Sequence, residues 1–298
     1  MRVVRKTLPR SIFGPSHPDY PVLKSIGDEI DARAGGRAAL CDRLPVLLRD
    51  CIDDVLKTPK TGRISYAQLE KTEKTHIGTC VEIELRDFLG VPKGKLDTVI
   101  AGYDTDIKHT MGSNWMIPKE AQNHPCILVA ADEASGLCYL GLIVAKLEYL
   151  TASENRDAKK SVSASGFENI FWLIQGESYP ANFWQTIPPG AVTRIFSGTS
   201  GNERVINLFR EVQERPISRE VVNATAKQKD FTRRIRSDAG RGTRDQLADE
   251  GIVLISGAYG SELIELFGLP ACGKSEFISY RPKTNQECAA ARTFGFKV

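Results

Sequence analysis

Asp97, Asp106 and Lys108 are the residues whose types and spacing could do chemistry. They fall in one stretch, Leu96 to Thr110, reading Leu-Asp-Thr-Val-Ile-Ala-Gly-Tyr-Asp-Thr-Asp-Ile-Lys-His-Thr. Val99 to Ala101 is apolar and partly β-branched, Gly102 and Tyr103 allow a bend, and Asp104 to Lys108 alternates polar with apolar. This pattern predicts two strands meeting at a bend. Strand side chains repeat every two residues, so Asp106 and Lys108 leave one face while Ile107 turns to the core. Phosphodiester hydrolysis uses such a set: carboxylates hold a hard cation against the phosphate, and an ammonium orients a water and steadies the developing negative charge. An Asp-x-Lys pair alone is as readily a solvated strand edge.

The elements around this stretch must supply a further acid and a frame. Glu82, in Thr79-Cys-Val-Glu-Ile-Glu84, is expected on a second alternating strand. Glu84 would share its face, so the third acid is either of the two. Upstream, Pro21 to Leu56 has apolar residues three or four apart and is expected to form two helices divided at Gly35 and Gly36, with a turn at Thr58 to Gly62 and a helical piece at Tyr66 to Lys74. Downstream, Met111 to Pro118 is a polar loop with an exposed aromatic, Trp115, that either touches a ligand or is a packed connector. Cys126 to Ala131 and Leu137 to Leu147 read as strands joined by a turn, and Ser163 to Ile174 as an amphipathic segment. Asn155 to Lys160 carries Arg156, Lys159 and Lys160, a phosphate clamp or a solvated loop. Together these predict an α/β domain with a mixed sheet flanked by helices. His76 is expected in a loop and His109 on the face opposite Lys108, neither with a role.

At 298 residues the chain is long enough for two domains, and 41% hydrophobic with 26% charged residues excludes disordered and fibrous classes. A net charge of +3 is small, so any nucleic-acid signal rests on where the cations sit. Seven scattered cysteines with no CxxC pair fit neither a disulfide framework nor a zinc site. The basic start, Met1 to Arg10, is followed by no apolar segment, and Leu137 to Leu150 is too short to span a bilayer. A cytoplasmic protein with no membrane association is expected.

Turn-rich punctuation at Gln175 to Pro180 and Thr186 to Gly190 marks a boundary, giving domains at 1–175 and 183–298. The second domain reads as helical: Asn202 to Gln213, a short helix capped by Ser218, then Thr225 to Arg236 after almost no connector, which is helix-turn-helix spacing. Seven cations, Lys227, Lys229, Arg233, Arg234, Arg236, Arg241 and Arg244, stand against two acids there. Gly240 and Gly242 in a loop before a strand at Gly251 to Ser256 suggest the wing of a winged helix, and cations on the second helix and wing are placed to contact DNA phosphates. Gly268-Leu-Pro-Ala-Cys-Gly-Lys-Ser275 matches a phosphate-binding loop to the letter. That mechanism requires a strand entering and a helix leaving, whereas here a helical stretch, Ser261 to Phe267, enters and a strand, Phe277 to Tyr280, leaves, so no nucleotide is expected.

The D…DxK arrangement is that of the restriction-type nuclease fold, and longer strings narrow it. Glu70 to Ile83, Ile100 to Lys108, Asn114 to Ala121, Asn155 to Lys160, Gln228 to Arg236 and Glu250 to Ile255 resemble, in order and over nearly the whole chain, the NaeI family of type II restriction endonucleases. One departure is Leu96, where such nucleases often carry proline. The resemblance implies a sequence-specific double-strand DNA endonuclease with an N-terminal nuclease domain and a C-terminal winged-helix domain of the CAP type. It implies a homodimer that binds two DNA copies, one cleaved and one an allosteric activator. It also implies that Asp97 and Asp106 hold Mg²⁺ with help from the Ile107 carbonyl, that Lys108 orients the water, and that Glu82 completes the acidic cluster. The rival readings are a catalytically silent winged-helix DNA-binding regulator and an ATPase built on Gly268 to Ser275.

Overall fold

The computed structural model describes residues 8–228, 235 and 240–298. In chain order the helices are α1 (Tyr20–Ala34), α2 (Arg37–Leu56), α3 (Thr58–Thr61), α4 (Lys71–Leu89), α5 (Ala164–Glu168), α6 (Pro189–Phe196), α7 (Gly201–Glu211), α8 (Arg219–Ala226), α9 (Thr243–Asp249), α10 (Ser261–Leu266) and α11 (Asn285–Thr293). The strands are β1 (Thr98–Ile100), β2 (Tyr103–Thr110), β3 (Met116–Ile117), β4 (Pro125–Asp132), β5 (Leu137–Val144), β6 (Lys160–Ser161), β7 (Phe171–Ser178), β8 (Ile217–Ser218), β9 (Val253–Ser256) and β10 (Glu276–Tyr280). The chain divides into two units, Met1–Leu56 with Ser65–Asn182, and Lys57–Ile64 with Phe183–Val298.

The first unit is built on a five-stranded sheet of order β1-β2-β4-β5-β7, in which β2 and β4 are parallel and the other neighbours antiparallel. This is a mixed sheet flanked by helices, as the sequence predicts. β4 is apolar at nearly every position because both its faces are covered. Ile127, Val129 and Ala131 join Leu23, Ile26, Leu44, Leu48, Val81 and Leu85 in one core, while Cys126, Leu128 and Ala130 meet Trp115, Phe167 and Ile170 in another. Gly35, in a left-handed conformation, ends α1 and lets α2 start two residues later.

Three local expectations change. Thr79 to Glu84 lies within α4, not on a strand, and His76 is on the same helix. The period of Ile77, Val81, Leu85 and Leu89, buried every four residues, outweighs the two-residue alternation of Val81 and Ile83. Trp115 is 1% exposed, its indole N–H donating to the Val129 carbonyl at 2.8 Å, so that loop is a packed connector. The amphipathic run from Ser163 divides into α5, capped by the Ser163 hydroxyl, and the edge strand β7.

In the second unit, α7 contributes Val205, Ile206, Leu208 and Phe209 to a core shared with Val222, Leu247, Ile252 and Leu254. Its three-stranded sheet has the order β8-β10-β9, antiparallel throughout. Thr225 and Ala226, expected to begin a second helix, are the last residues of α8. Lys227 takes φ 56, and its N–H donates to the Ala224 carbonyl at 3.0 Å, which terminates the helix. The loop glycines Gly240 and Gly242 are followed by α9, so they are not a wing between two strands. Gly268 to Ser275 follows a helix and precedes β10, the reverse of a phosphate-binding loop, as its flanks predict. No described helix is long and apolar enough to cross a membrane.

Candidate active site

The site forms where β1 turns into β2. Ala101 and Gly102 connect the two strands with φ values of 50° and 81°, a two-residue turn of the type I′ kind, which glycine adopts without steric cost. In the parallel pairing, Asp106 stands opposite Cys126, Ile107 opposite Ile127 and Lys108 opposite Leu128. Ile107 joins the core beneath the helices, so alternation places Asp106 and Lys108 together on the other face.

There Lys108 Nζ lies 2.8 Å from both carboxylate oxygens of Asp106 and donates to Oδ1. It also donates to the Ile107 carbonyl at 3.1 Å and stands 3.5 Å from Asp97 Oδ2. Asp97, in the loop ahead of β1, accepts the Ile107 N–H at 2.7 Å through that same oxygen. Asp106 is 3% exposed, so its carboxylate depends on Lys108 for compensation of its charge. Burial raises the Asp106 carboxyl above the usual carboxylate range, Lys108 opposes the rise, and Asp97 adds to it. Burial alone would depress Lys108, but the charge and hydrogen bond of Asp106, with Asp97 behind, reverse this and leave it raised. The lysine is therefore held cationic beside a carboxylate that is costly to keep charged.

Glu82, on α4, lies within electrostatic range of this group. Its carboxyl is raised, first by burial and then by the charge of Asp97, with Arg86, Lys108 and Lys93 opposing. Arg86 Nη1 lies 3.5 Å from Glu82 Oε1. Two positions along a helix are about 200° apart, so Glu84 does not share Glu82's face; it is exposed, in a groove with Asp42, Asp50, Asp54 and Phe88. His109 turns away from Lys108, and its ring is pushed down to about 4 by burial.

Two residues beside the site carry no sequence motif of their own. Asp104 accepts the Leu96 N–H through both oxygens, at 3.1 and 3.3 Å, and Arg86 donates to the Asp97 carbonyl at 3.4 Å. Asp104 is legible as one more step of the alternation that gives Asp106 and Lys108; Arg86 becomes legible only once α4 is read as a helix.

Of the cations singled out, Arg156 is exposed and Lys159 half-buried, in a loop where Asn155 Oδ1 accepts the N–H groups of Asp157 and Lys159. Lys227 and Arg241 are exposed, and Arg244 sits over the Phe296 ring at 5.9 Å. Lys229, Arg233, Arg234 and Arg236 lie outside the described residues.

The model of the family described as "Restriction endonuclease NaeI" matches residues 41–292. The chain is also 34% identical over 251 residues to the type II restriction enzyme NaeI of Lentzea aerocolonigenes, across 80% of this chain and 78% of that one. The chain belongs to the NaeI restriction endonuclease family. It is accordingly an enzyme of the site-specific deoxyribonuclease class, and the matched residues include Glu82, Asp97, Asp106 and Lys108.

NaeI-family membership raises the question of a divalent metal. Among the described residues no group of three or more His, Cys, Asp or Glu side chains is gathered to hold one. What is gathered is two carboxylates, Asp106 buried and Asp97 partly so, and the Ile107 main-chain carbonyl, all against the Lys108 ammonium. All are hard oxygen donors, and few in number, which suits an ion that keeps several of its waters. The donor set therefore fits a hard divalent cation.

Proposed function

We propose that this enzyme cleaves both strands of DNA at a specific sequence in a Mg²⁺-dependent reaction centred on Asp97, Asp106 and Lys108. Asp97, Asp106 and the Ile107 carbonyl would hold the ion, which when bound supplies charge against the phosphate and acidifies its water. Lys108 orients the attacking water and balances charge that develops on the phosphate oxygens. Glu82 approaches from α4 as the third acid. The observation that carries this reading is the buried Asp106, both of whose oxygens lie 2.8 Å from Lys108 Nζ, with Asp97 against the same ammonium. Asp106→Ala or Lys108→Ala should lose cleavage by roughly three orders of magnitude while DNA binding survives. Normal cutting by Lys108→Ala would place the chemistry elsewhere.

The second unit is proposed to be a winged helix that binds a further DNA copy. In its support, α7, β8, α8, α9, β9, α10 and β10 follow in that order, with the last strand central in the sheet. On this reading α9 is the helix that enters the major groove, with Arg241 and Arg244 at its start, and the wing is the β9–β10 connection rather than Gly240 to Gly242. The enzyme would act as a homodimer in which DNA on the second unit favours a cutting-competent state by about 1–3 kcal/mol. A plasmid with one recognition site should then be cut slowly and accelerated by a short duplex carrying the site. Equal rates with and without the duplex would make the second unit a tether only.

A further inference from the structure

Asp97 sits in a loop, not on a strand, so something must fix it to the precision that a metal-binding or water-positioning carboxylate needs. The loop runs from the end of α4 through Val91-Pro-Lys-Gly-Lys-Leu96. It is tied at its start by the Val99 N–H and the Thr98 hydroxyl, which both donate to the Pro92 carbonyl at 3.0 Å. Immediately before Asp97 it is tied by Asp104, whose two oxygens receive the Leu96 N–H. Gly94 completes the fit. A Cβ built there would stand 2.1 Å from Asp104 Oδ1 and 3.0 Å from the Thr98 carbonyl oxygen, so the carboxylate occupies space that only glycine leaves open.

We infer that Asp104 is a positioning residue for the cleavage reaction: lodged over Gly94 and bonded to the Leu96 N–H, it sets the loop that presents Asp97 to Asp106 and Lys108. This rests on Asp97 serving the reaction as proposed above. Asp104 shares the strand face of Asp106 and so resembles a further metal-binding acid, but both its oxygens are turned to the loop backbone. Displacing a reacting group by about 1 Å can cost a hundredfold in rate.

The inference is tested with the full chain by single-turnover cleavage of a duplex carrying the site, alongside DNA affinity without added metal and the thermal unfolding midpoint. Asp104→Ala should cut about a hundredfold more slowly with affinity within about threefold. Asp104→Asn, whose amide oxygen can still accept the Leu96 N–H, should recover to within about tenfold of wild type, a rescue that a metal ligand would not show. Gly94→Ala should reproduce the Asp104→Ala defect without removing any functional group, and the double variant should be no slower than either single one. An Asn variant as slow as the Ala variant, wild-type rates for Asp104→Ala, or additive effects of the two sites would each overturn the inference. Asp97→Ala is the control: if it cuts normally, the proposed chemistry itself is wrong; if it is inactive while Asp104→Ala is normal, only the positioning role fails.

Discussion

Removing the Lys108 charge should destabilise the first unit more than removing its partner, and removing both should restore most of the loss. Lys108 Nζ is 2.8 Å from Asp106, with side chains 24% and 4% exposed. At that separation the attraction is about 6 kcal/mol for an effective dielectric constant of about 20, most of it spent on taking the two charges out of water. Stranding one member of a fully buried pair costs about 3–5 kcal/mol. Lys108→Met strands Asp106, whose two oxygens both face the lost ammonium, and should cost about 2–4 kcal/mol. Asp106→Asn strands a lysine that keeps Asp97 at 3.5 Å, the Ile107 carbonyl and some water, and should cost about 1 kcal/mol or less. The double variant should lie within about 1 kcal/mol of wild type, a coupling of about 2–3 kcal/mol, while cleavage stays lost in all three. Urea denaturation followed by tryptophan fluorescence measures the cycle, since Trp115 and Trp172 both belong to this unit. Additive losses, or a larger cost for Asp106→Asn than for Lys108→Met, would refute the view of Asp106 as a strained charge held by Lys108.

Other expectations follow from particular side chains. Glu82→Gln should slow cleavage at least tenfold and Glu84→Gln by less than twofold, because the two leave α4 on different sides; single-turnover rates decide, and equal effects would contradict the helical placement. Lys274→Ala should leave cutting unchanged and independent of ATP, checked by plasmid digestion with and without the nucleotide, because the segment lacks the flanks of a phosphate loop. Burial pushes the Cys51 and Cys138 thiols up to about 12 and Cys126 well above its ordinary value, so at pH 8 a thiol reagent should label Cys41, Cys80, Cys272 and Cys288 first. Peptide mapping that found Cys126 labelled in the folded protein would contradict its burial beneath the site.

The site strand was legible because its constraints are local. The alternation from Asp104 to Lys108 and the turn before it depend on few residues, and the apolar run of β4 depends only on both faces being covered. Glu82 was harder, because Thr79 to Glu84 satisfies a two-residue period over six residues, while the four-residue period appears only across Ile77 to Leu89. At the start of α4 the Glu70 N–H donates to the Glu73 carboxylate at 2.9 Å, but glutamate is not a residue that marks a helix start in a sequence. The positions of Asp104 and Arg86 follow from the strand alternation and the α4 helix, but their roles were not legible, since their partners are backbone atoms of a loop whose path no periodicity describes. In the second unit the stop at Lys227 depends on one left-handed residue that is not glycine, which propensity does not foresee.

The second unit has a consequence for synthesis, because one of its pieces is made long before the rest. Lys57–Ile64 belongs to it: Gln185 donates to the Ile64 carbonyl at 2.8 Å, and Ile64 packs against the core of Trp184, Val205 and Phe209. The residues between, Ser65–Asn182, take roughly 6–24 s to translate at about 5–20 residues per second. During that interval the emerging first unit must close its own sheet while carrying an eight-residue passenger whose apolar anchor has no host. A ribosome paused between the two pieces would therefore leave Ile64 open to proteases or chaperones, and a fragment begun at Phe183 would be born without it.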